Sequence, residues 1–191
     1  MEGNKDDPSA HKEGGKGPSP SERTTRFILG LLDGVKNIFH GPVTQIPPGE
    51  VILHQGRVPA AGIKLRYPRI LLVEDNPVRA REFVQAIRTF YAYGSVRILV
   101  AHSYDAAVHF FENEDIRLVI MDADLDDEAG DGTDLIQAFL GCRPEITVLA
   151  NSSSRVSNLK LTGLGALDTL GKSTVKLICW LQQNDPAGAN R

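Results

Sequence analysis

The run Leu118-Val119-Ile120-Met121 is apolar without alternation and passes at once into Asp122-Ala123-Asp124. An unbroken apolar run of this kind suits a strand whose sheet is covered on both faces, as parallel sheets are. Ligands of such sheets bind at the carboxyl ends of the strands, where Asp122 would stand. An earlier run, Ile70-Leu71-Leu72-Val73, ends the same way in Glu74-Asp75. Two such strands side by side bring three carboxylates to one edge, and clustered acids there call for a cation. Asp122, directly after the buried run, is the candidate reactive group.

At 191 residues, 41% hydrophobic and 24% charged, the chain has material for one ordinary domain and an extension. A formal charge of -3 and a sequence pI near 5.9, without any run of lysines and arginines, argue against nucleic acid as a partner. Cys142 and Cys179 have no metal-ligand spacing and make no disulfide framework; they read as packing residues in a reducing cytoplasm.

Residues 1–23 are Gly, Pro, Ser, Lys and acid, with no apolar core for a signal peptide and little to offset their ordering entropy, which predicts a disordered tail. Residues 24–40 place Phe27, Leu31, Val35 and Ile38 on one helical stripe, widened by Ile28, Leu32 and Phe39 and ended by Gly41-Pro42. This amphipathic helix docks on the following domain, pairs in a homodimer through Gly30 and Gly34, or lies on a membrane surface. Its polar side offers only Arg26 and Lys36 as cations, against Asp33, which favours the first two. It is shorter than the roughly 20 residues a membrane span needs. Residues 41–68, with Pro42, Pro47, Pro48, Pro59 and Pro68, read as a linker or packing arm with one extended segment at Val51-Ile52-Leu53.

From Arg69 onward strands and helices alternate. The first strand is followed by Asn76-Pro77, an N-cap with proline in the first turn, and by the helical period of Phe83, Val84, Ile87, Phe90 and Tyr91 up to Gly94. Val96–Ala101 is the next strand, and Ser103 caps a helix with Ala106, Ala107, Phe110 and Phe111 inward. The Asp122 strand at 116–121, an acidic loop at 123–132 and a helix at 133–140 come next. A strand at 146–150, a helix at 154–162, a strand at 166–170 and a helix at 174–183 complete the domain, leaving a flexible tail at 185–191. Short links with this alternation predict a flavodoxin-like (βα)5 doubly wound parallel sheet in the order 2-1-3-4-5, in which Glu74, Asp75 and Asp122 converge.

Five stretches then carry a resemblance: Leu72-Val73-Glu74-Asp75-Asn76-Pro77, Ala101-His102-Ser103, Val119-Ile120-Met121-Asp122, Asp131-Gly132 and Gly165-Ala166-Leu167-Asp168-Thr169-Leu170-Gly171-Lys172. In this order and spacing they make residues 69–184 resemble a response-regulator receiver domain of two-component signalling. The resemblance implies that Asp122 is the phosphoacceptor and Asp75 a direct ligand of Mg2+. It implies that Glu74 is an outer ligand through water, that Asp124 adds its main-chain carbonyl, and that Lys172 pairs with Asp122 and then with its phosphoryl group. An oxygen-only ligand set that keeps several waters is what magnesium prefers. The further acids Asp126, Asp127, Glu128 and Asp131 lack the ligand spacing of a calcium loop and read as a solvated loop.

The chain also departs from the family's pattern. The loop from Asp122 to Asp131-Gly132 is about two residues longer than usual, with Asp126 where a proline is common. Counting back from Lys172 puts Ala150 where a Thr or Ser contacts the phosphoryl group, with Ser152 as the possible substitute. Thr169 replaces the switch aromatic. Ser173 replaces the proline after the lysine, so that this peptide bond, whose cis form costs a non-proline residue about 3–4 kcal/mol, is expected trans.

The resemblance implies a cytoplasmic phosphorelay receiver, phosphorylated by a histidine kinase or phosphotransfer protein and signalling to a downstream protein partner. As an activity it implies at most self-phosphorylation and autodephosphorylation. The alternatives are a phosphorylation-independent pseudo-receiver that docks partners and a haloacid-dehalogenase-like phosphatase with Asp122-Ala123-Asp124 as nucleophile motif. The phosphatase would want threonine at Asp126 and its acidic metal pair after the nucleophile.

Overall fold

The computed structural model describes residues 49–56, 64–92 and 94–188. The predicted tail at 1–23 and the predicted amphipathic helix at 24–40 lie outside the described residues.

Strands β1 (Gly49–Gln55), β2 (Arg69–Val73), β3 (Ser95–Ala101), β4 (Leu118–Met121), β5 (Thr147–Ala150) and β6 (Asp168–Thr169) form one six-stranded sheet in the order β1-β3-β2-β4-β5-β6. The helices are α1 (Pro77–Phe90), α2 (Tyr104–Asn113), α3 (Gly132–Cys142), α4 (Arg155–Gly163) and α5 (Thr174–Asn184). From β3 to β6 all pairings are parallel, which is the predicted flavodoxin-like order. The unalternated runs explain it: Ile70, Leu71, Leu72 and Val73 in β2, and Leu118, Val119, Ile120 and Met121 in β4, are all fully buried. Such strands need helices on both faces.

The extended segment expected around Val51-Ile52-Leu53 is a full edge strand, antiparallel to β3 from Gly49↔Ala101 to Gln55↔Ser95. Ile52 packs on the core, while Val51 and Leu53 on its other face are 46% and 70% exposed. The last strand is shorter than the predicted 166–170: only Asp168 and Thr169 are in strand geometry, although Leu167 N–H to the Val148 carbonyl and Leu170 N–H to the Ala150 carbonyl extend the ladder.

One core layer lies under α1 and α5, where Phe83, Ile87, Tyr91, Leu177, Trp180 and Leu181 meet Ile70, Leu72, Ile98 and Ile120. Across the sheet, α2 and α3 meet through Phe111 and Phe139, stacked at 3.9 Å. Residues 185–188, expected to begin a flexible tail, fold back instead. Asp185 is 2% exposed and accepts hydrogen bonds from Arg66 N–H, Tyr67 N–H and Tyr91 Oη–H. Cys142 and Cys179, read as packing residues, are both exposed. Among the described residues no helix is long and apolar enough to cross a membrane.

Candidate functional site

The register of the parallel sheet builds the site. Val73 lies opposite Met121, and the ladder runs one residue further through Asp122 N–H to the Val73 carbonyl and Asn151 N–H to the Met121 carbonyl. Glu74, Asp122 and Asn151 therefore stand in a row at the carboxyl edge. Glu74, Asp75 and Asp122 can each offer a carboxylate oxygen to one point, the three atoms lying within 4.8 Å of one another. Glu74 and Asp122 are 1% and 4% exposed.

Lys172 reaches into this row from the loop after β6. Its Nζ donates to Asp122 Oδ2 at 2.5 Å and also to Glu74 Oε2. The loop is shaped for that reach: Gly171 and Lys172 have φ of 61° and 59°, and Lys172 N–H donates to Asn151 Oδ1 at 3.0 Å. A left-handed φ is costly for a side chain other than glycine, and the Asn151 bond helps hold it. The Lys172–Ser173 peptide is trans.

Burial is the largest influence on both acids and pushes the Glu74 and Asp122 carboxyls above their ordinary values, with Lys172 pulling the other way. One ammonium thus pairs with the two buried carboxylates of a cluster of three. An all-oxygen set with surplus negative charge fits a hard divalent cation.

The loop between β4 and α3 is tied at several points. Gly132 N–H donates to the Ala123 carbonyl at 3.0 Å, and a Cβ at Gly132 would lie 1.8 Å from the Asp122 carbonyl oxygen, so only glycine permits this approach of α3 to the Asp122 backbone. Asp131 caps α3 in a capping box with Asp134. Asp127 accepts from Tyr104 N–H at the start of α2, and Asp75 accepts from Asp126 N–H at 3.2 Å. Two of the acids expected in a merely solvated loop are therefore helix-end acceptors.

Asp124 and Ser152 are placed together. Ser152 Oγ, on a fully buried residue, donates to Asp124 Oδ2 at 2.7 Å, and Ser157 Oγ donates to Asp124 Oδ1 at 3.0 Å. Ala150 is fully buried at the end of β5. Sequence reading did not find Asn151 or Ser157. Asn151 directly follows a buried strand at the same edge, a signal like the one that marked Asp122; Ser157 had none.

No protein-family model matches the chain, and no curated protein matches its sequence. Solved structures do match. A CheY-like response regulator receiver domain protein from Methanospirillum hungatei is 20% identical, over 62% of this chain and 93% of that chain, with a TM-score of 0.51. The isolated REC domain of RcsB from Salmonella enterica serovar Typhimurium, solved with the phosphomimetic BeF3-, is 14% identical over 62% of this chain and 91% of its own, with a TM-score of 0.52. NtrX from Brucella abortus, in complex with ATP, is 19% identical; the match covers 63% of this chain but 27% of NtrX, with a TM-score of 0.53. The chain has the fold of response-regulator receiver domains.

Proposed function

We propose that the chain is a phosphoacceptor receiver of a two-component phosphorelay, with Asp122 as the group that takes the phosphoryl and Mg2+ as the cofactor. The observation that supports this most is the placing of Lys172 on Asp122, with Glu74 and Asp75 beside them at the carboxyl edge. Asp75, Asp122 and the Asp124 main-chain carbonyl would hold the magnesium, with Glu74 acting through water. When bound, the ion neutralises phosphoryl oxygens that would otherwise repel the attacking carboxylate.

In the transfer an Asp122 carboxylate oxygen attacks the phosphorus of a phosphohistidine on a histidine kinase or phosphotransfer protein. The new O–P bond forms as the N–P bond breaks, and the imidazole nitrogen leaves with the electron pair. Lys172 then pairs with the phosphoryl group as it had paired with the carboxylate. The activity is at most self-phosphorylation and autodephosphorylation, the setting the cytoplasm, and the output a protein partner.

A pseudo-receiver that docks partners without phosphate is the second reading. It is favoured by Ala150, which has no hydroxyl to offer, and by the engagement of Ser152 Oγ with Asp124. Incubation with acetyl phosphate and magnesium, followed by intact mass, separates the two: a receiver gains one phosphoryl adduct and a pseudo-receiver gains none.

A further inference from the structure

Helix α4 is thinly anchored. It buries only Asn158 and Leu161, while Val156 and Leu159 are 64% and 61% exposed. With so little apolar contact its position depends on polar ties at its first turn. Two of those ties converge on one carboxylate. Asp124 Oδ1 accepts from Ser157 Oγ within α4, and Asp124 Oδ2 accepts from Ser152 Oγ just before it. Ser152 is in turn locked to the helix: its N–H donates to Asn158 Oδ1 at 2.9 Å, its carbonyl accepts from Asn158 Nδ2 at 2.7 Å, and its Oγ accepts from Ser154 N–H at 3.0 Å. At the other end, Asp124 N–H donates to Asp122 Oδ1 at 3.3 Å. One residue therefore touches the candidate phosphoacceptor through its backbone and the start of α4 through its side chain.

We propose that the Asp124 carboxylate is a latch holding α4 to the acidic edge, and that a phosphoryl group on Asp122 opens it. The opening step rests on the receiver reading above. Phosphorylation turns the Asp122 carboxylate into an acyl phosphate carrying about -1.5 to -2, a gain of roughly one half to one negative charge, and adds three acceptor oxygens. Set two residues from Asp124, the phosphoryl group repels that carboxylate and competes for the Ser152 hydroxyl, so it favours the state in which α4 is released. A ligand shifts an equilibrium by its differential affinity for the two states, and the repulsion at Asp124 supplies that difference without a hydroxyl at position 150. Asp124 and Ser157 are positioning residues in this scheme.

Amide hydrogen exchange and NMR on the full chain test both steps. In the resting protein Ser157→Ala should speed exchange of the 157–161 amides about threefold, the loss of one solvent-exposed charge-assisted hydrogen bond, while β4 and α1 stay protected. Ser157→Thr, which keeps the hydroxyl, should restore the slow exchange. Magnesium with beryllofluoride should move the wild-type α4 amides toward their positions in Ser157→Ala, and should move those of the variant less. Equal α4 exchange in wild type and Ser157→Ala overturns the latch. Beryllofluoride shifts around Asp122 and Lys172 with α4 unmoved overturn the opening step alone. No beryllofluoride shift anywhere overturns the receiver reading, and with it the opening step, while the resting comparison still decides the latch.

Discussion

Lys172 Nζ lies 2.5 Å from Asp122 Oδ2 while also donating to Glu74, so a single ammonium joins the acids that end two adjacent parallel strands. It is the described side-chain cation paired with these acids, and under the proposed chemistry it also meets the incoming phosphoryl charge. Lys172→Ala should slow labelling by acetyl phosphate by roughly 100-fold, the usual scale for losing one preorganised charge-stabilising group. A time course by intact mass measures it; labelling at the wild-type rate would assign Lys172 a purely structural part.

The pH dependence of stability follows from the same acids. Burial raises the Glu74 and Asp122 carboxyls, so the folded chain holds their protons more tightly than the unfolded chain. Their stabilising contribution is complete below the ordinary carboxylate range and is lost as pH rises through the raised values. Without metal, Asp122→Asn should melt a few degrees above wild type at about pH 7, on the scale of ~2–4 °C per kcal/mol for a chain of this size. The advantage should vanish near pH 3, where both states carry the proton. Thermal melts at the two pH values check it, and equal melting at neutral pH would mean that Lys172 offsets the burial completely.

Gly132 is fixed by space. A methyl group there would lie 1.8 Å from the Asp122 carbonyl oxygen, a backbone atom that cannot turn aside. Gly132→Ala should cost about 2 kcal/mol or more and displace the Asp122 loop. Urea unfolding reads the first effect, and the magnesium dependence of labelling reads the second.

Asp185 should behave as a structural group. Removing its carboxylate by Asp185→Ala strands the buried Tyr91 hydroxyl and two backbone donors, at about 2–4 kcal/mol. Labelling at Asp122 by the folded fraction should be unaffected. Chemical denaturation of the variant and wild type gives the comparison.

The strands at the centre of the fold were legible because a doubly covered strand needs an unbroken apolar run, and Ile70–Val73 and Leu118–Met121 have one. The acids that end those runs were legible for the same reason. The edge strand at Gly49–Gln55 was visible only as a short extended segment, because its pairing is set by β3, forty or more residues later in register. Asp185 reads as a tail residue after a helix, and nothing local says that Arg66, Tyr67 and Tyr91 close over it. The Asp124 contacts with Ser152 and Ser157 span 28 and 33 residues and follow from how α4 returns to the sheet edge. Periodicity records what a segment buries; it does not record which distant polar group meets it.

Whether Asp122 takes the phosphoryl group is read from intact mass after incubation with acetyl phosphate, with and without magnesium, for wild type, Asp122→Asn and Glu128→Gln, an exposed acid of the neighbouring loop. One magnesium-dependent phosphoryl adduct is expected on wild type and on Glu128→Gln, and none on Asp122→Asn. An adduct that persists in Asp122→Asn would move the phosphoacceptor elsewhere, and a wild-type chain that takes none would make the protein a pseudo-receiver.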